Sequence, residues 1–187
     1  LISWRPNELV VLGDWFDSFG PRHSSQIAEW VKAHLDDPKL TFLLGNHDVS
    51  YAFGQTCSGY NPHTAHEIGE VLTKDDWRKF KVFAEVEGVL LSHAGFHPKT
   101  LHLKDEDACK LAIELGLEFK ASPMWAAVYS RGGRSPVGGP VWLDFNEEFE
   151  PLNVPQIVGH TFSRKHDVRT KVYNPNTELS GPEDDIT

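Results

Sequence analysis

Four short apolar runs in this chain each stop at a small residue followed by a polar side chain that can bind a metal. They are "VVLG" before Asp14, "FLLG" before Asn46, "VLLS" before His93 and "QIVG" before His160. Runs of this length and branching read as strands buried on both faces, which requires helices to cover the sheet. One such helix follows at once. With Ser25 as its cap, Ile27, Trp30, Val31, His34 and Leu35 recur at helical spacing until Asp37-Pro38 ends the pattern. Strand, polar loop, helix, strand, polar loop is the rhythm of an α/β domain, whose ligands gather at the carboxyl ends of the strands.

The rest of the chain fits the same scheme. Residues 61 to 80 read as exposed helix with a capped start at Thr73. "KVFAEVEGVLLSHAG" reads as a β-hairpin turning at Glu87-Gly88, its second strand ending at Ser92-His93. Leu103 to Leu117 is expected to be helical, "VWLDF" to be a strand, "PQIVGHT" a strand entering a polar loop, and "VRTKVYN" one alternating strand. The Gly, Pro and Arg-rich "SRGGRSPVGGPVW" lies inside the domain and is expected to loop over the site. The acidic "GPEDDIT" is expected to fray.

A chain of 187 residues with 40% hydrophobic content supports one core and one domain, 1–187. A formal charge of −9 argues against a nucleic-acid surface, which needs clustered Lys and Arg. A small phosphate beside a metal ion is not excluded, because the ion inverts the local field. No apolar run reaches membrane-span length, and "LISWRPNEL" lacks the layout of a signal peptide, so a cytoplasmic setting without membrane contact is expected. Cys57 and Cys109 form no Cys-x-x-Cys pair and read as reduced structural thiols. Trp15 and Trp125 are expected in the core, and His23, His34, His63, His66, His97, His102 and His166 at the surface or at helix ends.

The ligand-capable set combines a carboxylate, an amide oxygen and two imidazoles, which suits manganese, iron or zinc. Taken in order, "GDWFD", "GNHD", "SHAG" and "VGHT" resemble the calcineurin-like metallophosphoesterases, closest to the Ser/Thr phosphoprotein phosphatase branch and its phage and bacterial relatives. The resemblance covers about residues 9–173. It implies a β-sandwich of two mixed sheets flanked by helices, and two divalent transition metals in the complete protein. By resemblance, Asp14 bridges the metals, while Asn46, His93 and His160 complete the second metal's shell. His47 is the acid that protonates the leaving alkoxide, and Asp17 orients it. Arg131 and Arg134 are expected to clamp the phosphate. The implied activity is hydrolysis of phosphomonoesters by a metal-bridging hydroxide. The alternatives are a dinucleoside polyphosphate hydrolase and a catalytically silent binding module of the same fold.

The family pattern is departed from in three places. No Asp-x-His-Gly precedes Asp14, so the domain is expected to lack its first strand and first metal motif and, as given, to hold at most one metal. Ser18 stands where protein phosphatases carry an arginine, and Phe162 where many relatives carry a second histidine. His166 and Asp167 are the candidate substitute ligands. Asp48 is a candidate support for the loop it sits on.

Overall fold

The computed structural model describes residues 8–17, 23–120, 122–162, 167–169 and 172–174. The start, Ser18, His166 and the acidic tail lie outside the described residues, as does the side chain of Asp167.

Two sheets form the frame. Strands β1 (Leu9–Val11) and β2 (Leu40–Phe42) pair in parallel, with Leu9 opposite Leu40 and Val11 opposite Phe42. The second sheet has the order β3-β4-β5-β7-β6, from β3 (Phe83–Val86), β4 (Val89–Ser92), β5 (Gln156–Ile157), β6 (Asp167–Arg169) and β7 (Val172–Asn174). In it β4, β5 and β7 run parallel, and β3 and β6 are its antiparallel edges. The sheets meet through Lys81, which bridges to Leu43 just ahead of β3, donating its N–H to Phe42 O at 2.9 Å and accepting from Leu44 N at 2.9 Å. The expected architecture of two sheets with flanking helices is the one found; the second sheet is mixed, while among the described residues the first is a parallel pair.

Helix α1 (Ser24–His34) packs on α3 (Pro62–Val71), and α2 (Asn46–Phe53) packs on α5 (Glu106–Leu117). They cover the β1–β2 sheet with a core that includes Phe16, Val31, Phe42, Leu44, Phe53, Ile68 and Trp77. A smaller cluster of Leu90, Phe96 and Leu152 lies against β4.

Several local expectations are corrected. The 61–80 segment is two helices, α3 and α4 (Lys74–Trp77), and it is not uniformly exposed, since Ile68 and Trp77 enter the core. The break comes at Thr73. Its hydroxyl accepts from Asp76 N while Asp76 Oδ2 accepts from Thr73 N, a reciprocal cap that starts a new helix. The first helix begins one residue before the expected cap, with Ser24 already buried in its first turn. "VWLDF" is not a strand. Trp142 N and Leu143 N both donate to Gly139 O, and Asp144 Oδ1 accepts from Asn146 N and Glu147 N. The backbone groups that a ladder would need are therefore spent in local turns. "VRTKVYN" divides into β6 and β7, paired to each other. His97 is buried rather than superficial. Its Nδ1 accepts from Lys99 N at 3.0 Å and its Nε2 meets Glu150 Oε1 at 3.1 Å, so neither ring nitrogen is stranded.

A metal centre candidate at the strand ends

Parallel pairing decides where the chemistry collects. Because β1 and β2 point the same way, Asp14 and Asn46 emerge at one end of the first sheet. His93 and His160 leave the parallel β4 and β5 at one end of the second. Backbone bonds then lash these ends together. Gly159 N and His160 N both donate to His93 O at 2.8 and 2.9 Å, and His93 Nδ1 donates to Leu12 O at 2.7 Å.

The loops after β1 and β2 touch backbone to backbone. A Cβ on Gly13 would stand 2.4 Å from Gly45 N, and one on Gly45 would stand 2.2 Å from Asp14 Oδ1. Only glycine fits at either place. Asp14 itself adopts a left-handed backbone, φ +57°. Asp48 holds it there: the fully buried carboxylate accepts from Asp14 N (2.9 Å), Trp15 N (2.9 Å) and Gly45 N (2.8 Å). Thus the acid of "GNHD" ties both motif loops into one unit.

At the centre stands His93 Nε2. It lies 3.0 Å from His160 Nδ1, 3.1 Å from Asn46 Oδ1 and 3.3 Å from Asp14 Oδ2. Donors bound about 2.1 Å from one transition metal stand roughly 3.0 to 3.4 Å apart in octahedral or tetrahedral sets, so the spacing fits a shared ion. The proton inventory agrees. With Nδ1–H committed to Leu12 O, a neutral His93 turns its Nε2 lone pair toward Asn46 Oδ1 and Asp14 Oδ2, a repulsion that a bound cation would relieve.

Electrostatics follow the same logic. Burial pushes the Asp14 carboxyl up, but His93 and His47 beside it more than reverse this and hold it at about 2. Burial opposes charge on His93, and Asp14 nonetheless draws its pKa up. Burial and the charge of His93 press His160 down to about 3, so it offers a neutral ring.

His47, the expected acid, lies next to this cluster. His47 is in the first turn of α2, where its N–H donates to Asp14 Oδ1 at 3.1 Å and its Nδ1 donates to Asp17 Oδ2 at 2.7 Å. Cys57, with Sγ 3.8 Å from the same nitrogen, then Asp14 and Asp17 raise the His47 pKa to about 10 against the effect of burial. Cys57 is therefore a cleft residue rather than a core thiol, a placement that nothing in its sequence spacing signalled.

A cleft of about 510 Å³ opens over the cluster, walled by Asp14, His47, Cys57, Arg131, Trp142 and His160 among others. Arg131 reaches it with its guanidinium braced from behind, Nε and Nη2 both on Asp144 Oδ2 at 2.8 and 2.7 Å. Burial raises the Asp144 carboxyl, while Asn146 N, Arg131 and Glu147 N pull it lower. Arg134 is exposed and does not line this cleft. Phe162 is also exposed, and Trp125 is core, packed on Phe53.

The sequence profile of the calcineurin-like phosphoesterases matches residues 2–164. No curated protein matches the chain. Among solved structures, the cold-active protein-tyrosine phosphatase of a psychrophile, Shewanella sp., superposes with a TM-score of 0.58 at 19% identity, over 91% of this chain and 60% of that one. A further structure of a cold-active protein tyrosine phosphatase gives 0.55 at 17%, over 91% and 59%. At such identities the likeness speaks for the fold, and this chain spans about 60% of the length of the first of these neighbours.

Proposed function

The chain belongs to the calcineurin-like phosphoesterase family, and from that premise we propose that it hydrolyses phosphomonoesters with a divalent metal held by Asp14, Asn46, His93 and His160. The observation that carries the reading is the meeting of three donors around a fourth, His93 Nε2, within 3.0 to 3.3 Å, at the floor of a cleft that also holds His47. One oxygen from a carboxylate, one from an amide and two imidazole nitrogens suit manganese, iron or zinc. A divalent ion bound there supplies Lewis-acid polarisation of phosphoryl oxygens and acidifies water near neutral pH. A second ion would need donors beyond these four, and the family resemblance assigns them to an Asp-x-His-Gly segment ahead of Asp14.

The protein's own groups supply the rest. His47, protonated and oriented through Nδ1 by Asp17, presents Nε2 to the cleft and gives its proton to the leaving oxygen. Arg131, fixed by Asp144, offers its remaining N–H groups to the non-reacting phosphate oxygens. Arg134 has no such position, so the clamp is assigned to Arg131 alone. The names of the two structural neighbours make an aryl phosphate the first substrate to try. Among the described residues no helix is long and apolar enough to cross a membrane.

The test is metal titration by calorimetry together with turnover of p-nitrophenyl phosphate by the 187-residue chain. Tight binding of manganese or zinc, with hydrolysis abolished by chelator and restored by metal, is the expected result. Hydrolysis indifferent to chelator, or no metal binding, would sink the proposal.

A further inference from the structure

His47 and Tyr51 are four residues apart on α2, so their side chains stand on the same helix face. Both reach one carboxylate. Asp17 Oδ2 accepts from His47 Nδ1 at 2.7 Å, and Asp17 Oδ1 accepts from the Tyr51 hydroxyl at 2.5 Å. Each oxygen of Asp17 is thereby used by a different residue of a single helical turn.

Asp17 needs such a brace. It lies in the left-handed region, φ +76°, which a non-glycine residue rarely occupies, and its side chain is 16% exposed at the cleft edge. One bond to His47 would leave the carboxylate free to rotate about its Cβ–Cγ bond. A second donor on the other oxygen removes that freedom.

Tyr51 is itself fixed on three sides. Its ring stacks on Tyr60 with centroids 5.3 Å apart and meets the buried Phe16 edge-on at 5.8 Å. Asn61 N donates to its hydroxyl at 3.4 Å, and Asn61 is also the residue whose side chain caps α3. A continuous set of contacts therefore runs from the start of α3 through Tyr51 and Asp17 to the ring of His47.

We propose that Tyr51 is a positioning residue for proton donation, holding Asp17 in the rotamer that aims His47 at the leaving group. The inference rests on the phosphoesterase reading, in which His47 is the acid. The Tyr51→Phe variant removes one hydroxyl and keeps the ring packing. With metal bound, its turnover of an alkyl phosphate should fall about tenfold, a fraction of what a whole general acid contributes, while turnover of 2,4-dinitrophenyl phosphate, which needs no proton, should stay within about twofold. In a His47→Asn background the same substitution should cost nothing further with either substrate. Equal losses with both substrates, no loss with either, or a further loss in the His47→Asn background would each overturn the proposal. A separate reading comes from proton NMR of the full chain. The His47 Nδ1–H should exchange with water several-fold faster in Tyr51→Phe, and unchanged exchange would overturn the positioning role. If no phosphate ester is turned over by the unaltered protein, the phosphoesterase reading fails, while the NMR result still decides whether Tyr51 holds the dyad.

Discussion

The proposed metal ligands and the proposed acid beside them occupy the same strand ends, yet they are held in place differently. Asn46 and His93 are each 3% exposed, and their loops are fixed by backbone bonds to Leu12, His93 O and the Asp48 carboxylate. The acid half is held by side chains instead: those of His47 and Arg131, 23% and 35% exposed against 25% for Asp14, are each steered by a carboxylate, Asp17 or Asp144. A metal shell must be rigid before the ion arrives, because each misplaced donor weakens the whole set. A general acid must meet whatever leaving group enters. The difference teaches that the two halves fail separately, and mutations should expose the seam.

The largest effect is expected on the metal side. His93→Ala removes the atom around which the other three donors gather, so metal affinity should fall by more than the roughly hundredfold that loss of an outer-shell partner can cost. Calorimetric titration should show it, and hydrolysis of every ester should vanish together. Retained affinity would mean that the cluster is a hydrogen-bonded core and not a site.

On the acid side the loss should be selective. His47→Asn should slow alkyl phosphates by about a hundredfold or more and leave activated aryl phosphates nearly intact, with metal affinity unchanged. Because Cys57, Asp14 and Asp17 raise the His47 pKa to about 10 in the metal-free chain, its ring should stay protonated through neutral pH there, which a histidine NMR titration of the metal-free protein checks. Deprotonation already complete near pH 7 would contradict the assignment.

The two halves also differed in how far the sequence revealed them. The convergence of Asp14, Asn46, His93 and His160 was legible because parallel strands bring carboxyl ends together, and an apolar run ended by a small residue marks such an end. His47 and Asp17 followed from family resemblance. Tyr51 and Cys57 did not: Tyr51 lies on a helix, α2, and Cys57 just beyond it, where the sequence pattern predicts a polar loop. Its signals were present, with Val49 and Phe53 four apart on the buried face, Asp48 at the third position and Gly54 closing it with φ +70°. The motif "GNHD" drew the reading toward a strand end and away from the helix that the same residues start. "VWLDF" misled in the opposite sense. Its apolar content is real, with Val141, Leu143 and Phe145 all buried, but turns formed by Gly139 and Asp144 consume the backbone groups a strand would pair.

Asp48 joins the halves, and its replacement should have an intermediate effect. Asparagine keeps the shape but turns an N–H₂ group toward one side of a pocket in which Trp15 N meets one oxygen and Asp14 N and Gly45 N meet the other. One backbone donor is left without an acceptor, at a cost of about 2 kcal/mol in urea unfolding. Asp14 should lose its set position, lowering metal affinity about tenfold. A loss of stability without a loss of affinity would show that the loops are bound together by packing and not by this carboxylate.

Asp76 provides the comparison that isolates this last effect, since it occupies the same helical position as Asp48 in another cap. Its Oδ2 accepts from Thr73 N at 2.8 Å and stands 3.5 Å from Lys32 Nζ, far in sequence from every ligand. Burial raises its carboxyl, but Thr73 and Lys32 pull it below the usual value of 3.8. A folded pKa below the unfolded one means stability that is present above the unfolded value and disappears as pH falls through the folded one. Asp76→Ala should therefore cost about 1 kcal/mol at neutral pH, and the gap from the unaltered protein should close as pH drops below 4. Metal affinity should not move. The two carboxylates cap helices in the same way, so a metal response in the Asp48 variant and none in the Asp76 variant assigns the difference to the N–H groups of Asp14 and Trp15. A metal response in both would mean that any loosening of the helical layer disturbs the site, and the division between a rigid metal half and a steered acid half would no longer stand.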